Sequence, residues 1–388
     1  AFDPRSEIRT SALEVLFDTL KFHGGSFTPG FWTRVYSRIL FPIFDHVRAD
    51  IVPQRRGDDD YEIASEDIDD WLYGTCTRCL ELVVDLAVQF HQAVVDAGVI
   101  PDLLKLLCGL ASRAHEQLAA CGVVAFKRLL INGAPLMKER EWHQCMEALQ
   151  KAFDETTPNF GVFSDETTDG DATRAAIISV KTQTLLVSAA NDLSTEATSS
   201  RASFNVDTLF VLLDVLEGVY TKAAVASRQL TSLTDEPDAE TRAYVDDTEP
   251  LILGLEAHAS ALMLRTLGQL QGDGVVARTE QLVRVAALAL ENYLQFDAAN
   301  PYIDVRQSVR VHAQVSVDAL DAVCALDPAR FKSNLPKLYP LLTSLIRRDD
   351  KPNELSQALG DVFVHRVGPI LAEANDEVVV HPSPVEPL

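Results

Sequence analysis

Basic side chains are scarce in this sequence. Thirty-four Lys and Arg stand against 57 Asp and Glu in 388 residues, a formal net charge of −23. Sequence-independent binding to nucleic acid or to anionic lipid depends on Lys and Arg displacing counterions, so direct DNA, RNA and polybasic membrane anchoring are disfavoured. Cysteine is scarce as well: six residues are too few for a disulfide framework at this length, and no Asn-x-Ser/Thr triplet occurs. Both absences point to a reducing compartment and a cytoplasmic location. Long apolar runs are missing too, each being broken by Asp, Lys or Arg well before the roughly 20 residues a spanning helix needs. The opening Ala1-Phe2-Asp3-Pro4-Arg5 has neither a basic n-region, an apolar h-region nor a Met, and is expected to be an internal point of a longer protein.

What is present is a core. Hydrophobic residues make up 47% and charged residues 23%, ordinary usage for a globular chain despite the acidity. The apolar pattern is helical nearly throughout. Phe31/Val35/Ile39/Ile43 and Trp32/Tyr36/Leu40/Phe44 recur every fourth residue, which predicts one broad apolar face of a helix. Thr28 and Pro29 suit its N-cap and first position. Ile8, Ala12, Val15, Leu16 and Leu20 mark a preceding amphipathic helix that stops at Gly24-Gly25, where a left-handed C-cap is expected.

Further helices are predicted near residues 68–95, 101–110, 115–131, 141–153, 173–190, 203–230, 246–270, 275–296, 302–326, 328–346 and 354–371. No alternating segment bounded by hairpin turns competes with them. About a dozen helices at roughly 40 residues per pair predict an all-α fold, a HEAT- or armadillo-like α-solenoid of antiparallel helix pairs. Asp304-Val305-Arg306 resembles a HEAT element. The expected organisation is a first helical block over 1–157 with an acidic insertion at 52–70, a polar linker at 158–172, a second block over 173–372 and a Pro-rich tail at 373–388. The acidic stretches 52–70 and 235–249 read as loops or disordered insertions, because dense like charges repel and bury little.

Chemical motifs are weak. Cys76-Thr77-Arg78-Cys79 has no second pair to complete a tetrahedral zinc site, and its place in the pattern Leu72/Cys76/Cys79/Val83 makes both thiols small core residues. Cys108, Cys121, Cys145 and Cys324 read the same way. Asp165-x-Thr167-x-Asp169-Gly170 opens like a calcium loop, but its twelfth position is Ala176 in place of the required Glu. Gly272-Asp273-Gly274 follows a helix, not the strand a dinucleotide fingerprint needs, and His115-Glu116 is followed by Ala119 where a metalloprotease helix needs His. No nucleophile elbow or P-loop occurs. No cofactor, metal or catalytic residue is expected; the one candidate contact is the acidic run Asp58, Asp59 and Asp60, able to attract a basic partner. A general HEAT-type adaptor or transport receptor that binds basic peptides through such acidic loops is the alternative reading.

The residues themselves carry a resemblance. Glu7-Ile8-Arg9-Thr10-Ser11-Ala12-Leu13-Glu14-Val15-Leu16-Phe17-Asp18-Thr19-Leu20, with Gly24, Phe27, Trp32 and Leu40-Phe41-Pro42-Ile43-Phe44-Asp45, resembles the region downstream of the catalytic domain in the large brefeldin-sensitive Arf guanine-nucleotide exchange factors. Trp71-Leu72-Tyr73-Gly74-Thr75-Cys76 continues it. Leu335-Pro336-Lys337-Leu338-Tyr339-Pro340 and Val367-Gly368-Pro369-Ile370-Leu371 are similar to the family's C-terminal end. The resemblance implies a HEAT-like regulatory and scaffolding segment without the exchange loop and its catalytic Glu. It also implies partners among small GTPases of the Arf and Rab classes, self-association through the C-terminal block, and indirect recruitment to trans-Golgi or endosomal membranes.

Overall fold

The structure, a computed structural model, describes residues 5–44, 75–161, 170–199, 206–231, 239–269, 273–295 and 305–372. All regular structure among them is helical: α1 (Ser6–His23), α2 (Pro29–Val35), α3 (Thr77–Gln89), α4 (His91–Asp96), α5 (Ile100–Ala111), α6 (Glu116–Gly133), α7 (Glu139–Glu155) and α8 (Gly170–Ser199), followed by α9 (Val206–Thr231), α10 (Ala239–Gln269), α11 (Asp273–Gln295), α12 (Val305–Cys324), α13 (Pro328–Arg347) and α14 (Asn353–Val362). No strand occurs among the described residues, and none of their helices is long and apolar enough to cross a membrane. The acidic run at 58–60, the motif at 165–169 and the tail from 373 lie outside the described residues.

The chain divides into two compact units, the first holding residues 1–159 and 169–212 and the second 160–168 and 213–388, so that the main boundary falls within α9. The sequence-based division at 158–172 differs over α8, which the structure groups with the first unit because α8 packs on α6. Gln183 of α8 donates to the Phe153 carbonyl, and Thr156 caps the end of α7 by donating to Ala152 O at 2.7 Å.

Each unit is built as rows of helices. In the first, α1, α3, α6 and α8 stack in succession, while α5 pairs with α6 and stacks on α7. In the second, α10, α12 and α14 form one row and α11 and α13 the other, with α10–α11, α11–α12 and α13–α14 as hairpin neighbours. In the second unit contacts thus run to the next helix and the next but one, the near-neighbour logic of an α-solenoid.

Local chemistry explains several departures from the simple pattern. The apolar helix that begins at Pro29 widens into a π-turn over Tyr36–Leu40, and a second π-turn, Phe363–Val367, follows α14. Each ends just before a proline, Phe41-Pro42 and Gly368-Pro369. A proline ring collides with the carbonyl four residues back, and a wider turn relieves that collision. Trp32, Val35, Tyr36, Leu40, Ile43 and Phe44 are buried, but Phe31 and Ile39, at the margins of the expected eight-residue face, are exposed.

Gly24 does not adopt the left-handed cap its sequence suggests; its φ is −58° in a short 3-10 turn. Close approach requires it: a Cβ there would lie 2.5 Å from the Phe90 ring and 2.9 Å from Trp32. Trp32 is packed between Phe27 and Phe90, ring centroids 5.5 and 5.1 Å away. Residues 239–249, expected in an acidic loop, form the first turns of α10 instead, with Thr248 and Glu249 buried. Ala239, Glu240, Arg242 and Ala243 are good helix formers, and that outweighs the clustered charge.

Candidate functional site

The cysteine positions are core. Cys76, Cys79, Cys108 and Cys145 are buried, and Cys121 and Cys324 half-buried. Burial pushes the Cys79, Cys108 and Cys145 thiols up to about 12 and raises Cys76 as well. Thiols buried and held protonated in this way are poor nucleophiles. Among the described residues no cluster of His, Cys, Asp or Glu is arranged for a metal. Asp273 begins α11, so the Gly272-Asp273-Gly274 stretch leads into a helix that follows another helix. Glu116, beside His115, accepts both hydrogen bonds from Lys181 at 2.9 Å.

The polar arrangement that sequence reasoning missed lies in the core of the second unit. Ser227 on α9, Glu256 on α10, Asn292 on α11 and His312 on α12 converge from four helices. His312 Nε2 is 3.2 Å from Ser227 Oγ, and its Nδ1 is 3.5 Å from Glu256 Oε1. Asn292 Nδ2 donates to the same carboxylate oxygen at 3.1 Å. Tyr220, on α9, has its hydroxyl driven well above its ordinary range by burial and then by the charge of Glu256. Ser316, one turn beyond His312, faces the Ala289 carbonyl of α11.

The order hydroxyl, imidazole, carboxylate is that of a hydrolytic relay. Access decides against that chemistry: Ser227 is 1%, His312 2% and Glu256 0% exposed, so no substrate carbonyl can reach the hydroxyl. The arrangement instead ties four helices together through polar contacts. Burial lowers the His312 pKa against the opposing pull of Glu256, which keeps the imidazole neutral at pH 7. Glu256 Oε2, Asn292 Oδ1 and the Tyr220 hydroxyl make no hydrogen bond within the described protein. Removing a partner from so deeply buried a polar hub is costly. No spacing rule could reveal it, because its members are drawn from four helices and each sits singly among apolar neighbours.

On the surface of this unit Asp214 and Glu217 of α9 pair with Arg278 and Arg284 of α11, the latter pair at 2.8 Å. Gln281 bridges both acids. Each pair has one solvent-exposed partner and contributes little stability.

With no catalytic geometry in view, similarity to known proteins carries the functional question. A family model described as the BIG2 C-terminal domain matches residues 181–364. Brefeldin A-inhibited guanine nucleotide-exchange protein 2 of Arabidopsis thaliana is 30% identical over 96% of this chain and 24% of its own length. The chain is a homologue of the C-terminal region of the large brefeldin A-inhibited exchange proteins. Protein 3 of the same plant is 28% identical over 96% of the chain, and the exchange factor SEC7 of Saccharomyces cerevisiae 26% identical over 39%. The chain spans about a quarter of the length of the curated plant relatives it matches. No solved structure matches it. The resemblance read from the N-terminal and C-terminal motifs therefore stands for nearly the whole chain. The matched family model is a C-terminal domain, not an exchange domain.

Proposed function

We propose that this chain is the regulatory and scaffolding segment of a large Arf exchange protein, without exchange activity of its own. It controls how the exchange domain meets Arf and recruits the protein to trans-Golgi or endosomal membranes through lipidated small GTPases of the Arf and Rab classes. Protomers pair through its C-terminal block, and Asp58, Asp59 and Asp60 offer a contact for a basic segment of a partner. The observation that carries this reading is homology along 96% of the chain to proteins named as exchange factors. The stacked helical rows support it, since such rows present long surfaces to protein partners. The net charge of −23 supports indirect membrane contact, because an anionic bilayer repels the chain.

Exchange on Arf tests the reading. The longer exchange protein is assayed with and without this segment on membranes bearing candidate GTPases. Removal is expected to change the rate or the recruitment while this chain alone catalyses nothing. Unchanged rate and recruitment with every GTPase would refute it.

A further inference from the structure

Exposed large apolar side chains are concentrated at the start of the first unit. On α1, Ile8, Val15 and Phe22 are 44%, 68% and 85% exposed. Their spacing of seven residues aligns them in one ridge along the helix, with the exposed small residues Ala12 and Thr19 between them. This ridge lies away from the inner face of α1, where Leu13, Phe17 and Leu20 are buried. Beside it runs a second row, Glu7, Ser11, Glu14 and Asp18, all exposed. None of the three carboxylates forms an ion pair among the described residues.

We propose that the outer face of α1 docks an amphipathic helix of a partner protein, one that carries an apolar stripe flanked by Lys and Arg. The ridge spans 14 residues of helix, about 21 Å, with one large knob every two turns, which matches the seam of a second helix. The small residues between knobs let that helix approach, and the unpaired acidic row selects a basic flank. The same row disfavours other occupants. A second copy presenting this face would set carboxylates against carboxylates, and an anionic membrane or nucleic acid meets the same repulsion.

The test uses the whole chain and a fluorescein-labelled 21-residue helical peptide with Leu at heptad spacing and Lys on the flanks. A peptide with Glu on those flanks serves as control. Fluorescence anisotropy is expected to show binding of the Lys peptide that weakens with salt, and no binding of the Glu peptide. The double variants Val15→Ser/Phe22→Ser and Glu14→Lys/Asp18→Lys are each expected to weaken it about tenfold or more. All four positions are solvent-exposed, and circular dichroism checks that the helices persist. Amide hydrogen exchange on the unmodified chain gives a readout independent of the variants: the Lys peptide should protect α1. Equal binding of the two peptides, unchanged affinity in both variants, or absence of protection in α1 would overturn the proposal. So would a concentration-dependent dimer in sedimentation that Val15→Ser/Phe22→Ser abolishes, since the face would then belong to self-pairing.

Discussion

The first and second units solve the same packing problem with different cores. In the first, stacked helices are held by large rings and thiols: Trp32, Trp142, Phe17, Phe126 and Phe153 are fully buried, and four cysteines fill gaps among them. In the second, the equivalent interior carries Glu256, His312, Asn292 and Ser227 at almost no exposure. An apolar core tolerates small shifts and loses stability in proportion to the volume removed. A buried polar hub behaves differently: it holds while every partner is present and fails when one is withdrawn. The comparison also has an optical handle, because Trp32 and Trp142 belong to the first unit and residues 213–388 contain no tryptophan. Tryptophan fluorescence follows the first unit, whereas circular dichroism follows both.

The largest expected effect is in the aromatic core. Trp32→Ala should destabilise the first unit by about 3–5 kcal/mol, because it empties the space between Phe27 and Phe90. Urea unfolding read by the fluorescence of the remaining tryptophans measures it, and a loss under about 1 kcal/mol would contradict the packing described.

In the second unit, Glu256→Leu alone should cost about 3 kcal/mol, because the His312 imidazole and the Asn292 amide lose their shared acceptor. The paired change Glu256→Leu/His312→Leu should recover much of that loss. The circular-dichroism midpoint is expected to fall in the single variant while the fluorescence midpoint moves less. Strict additivity of the two changes would show that the pair is not coupled.

A glycine tests how closely the rows of the first unit approach. A Cβ on Gly122 of α6 would lie 2.5 Å from Ala111 N and 2.9 Å from Leu107 O of α5. Gly122→Ala should therefore destabilise by about 1–3 kcal/mol in spite of alanine's better helix propensity. A stabilised variant would mean that α5 and α6 move apart freely.

The smallest expected effect is that of pH. The folded-state pKa of His312 lies below its unfolded value, as does that of the less deeply buried His91 beside Glu141 and Lys138. For a histidine with a depressed pKa, the folded state binds fewer protons than the unfolded one. Stability is thus intact above about pH 6.5 and declines as the pH falls below it. Unfolding midpoints between pH 7.5 and 5.5 should decrease, and Glu256→Leu/His312→Leu should flatten the part that belongs to the second unit. An unchanged slope in that variant would place the titration elsewhere.

Much of this was readable from periodicity. The row Trp32/Tyr36/Leu40/Phe44 announces its buried face because a helix repeats every 3.6 residues, and the paired spacing of helices announces the stacked rows. Cys76 and Cys79 declare themselves as core by their apolar neighbours. Periodicity is silent on the π-turn over Tyr36–Leu40 that precedes Pro42, and on Phe31 and Ile39 standing exposed at the margins of the apolar face. It is also silent on charge that folds: residues 239–249 look like a solvated loop yet form helix, because local propensity prevails when the neighbouring turns are already helical.

The amino-acid sequence by itself determined the helical class, the near-neighbour stacking and the likeness to the exchange proteins, since each rests on local pattern or on direct residue similarity. Tertiary structure alone decided what Gly24 is for, where α8 belongs, and that Ser227, Glu256, Asn292 and His312 meet. Those facts depend on side chains distant in sequence being brought within hydrogen-bond or van der Waals reach. No local spacing along one chain encodes a meeting of four helices; packing does, by choosing which faces of the stacked rows lie inside.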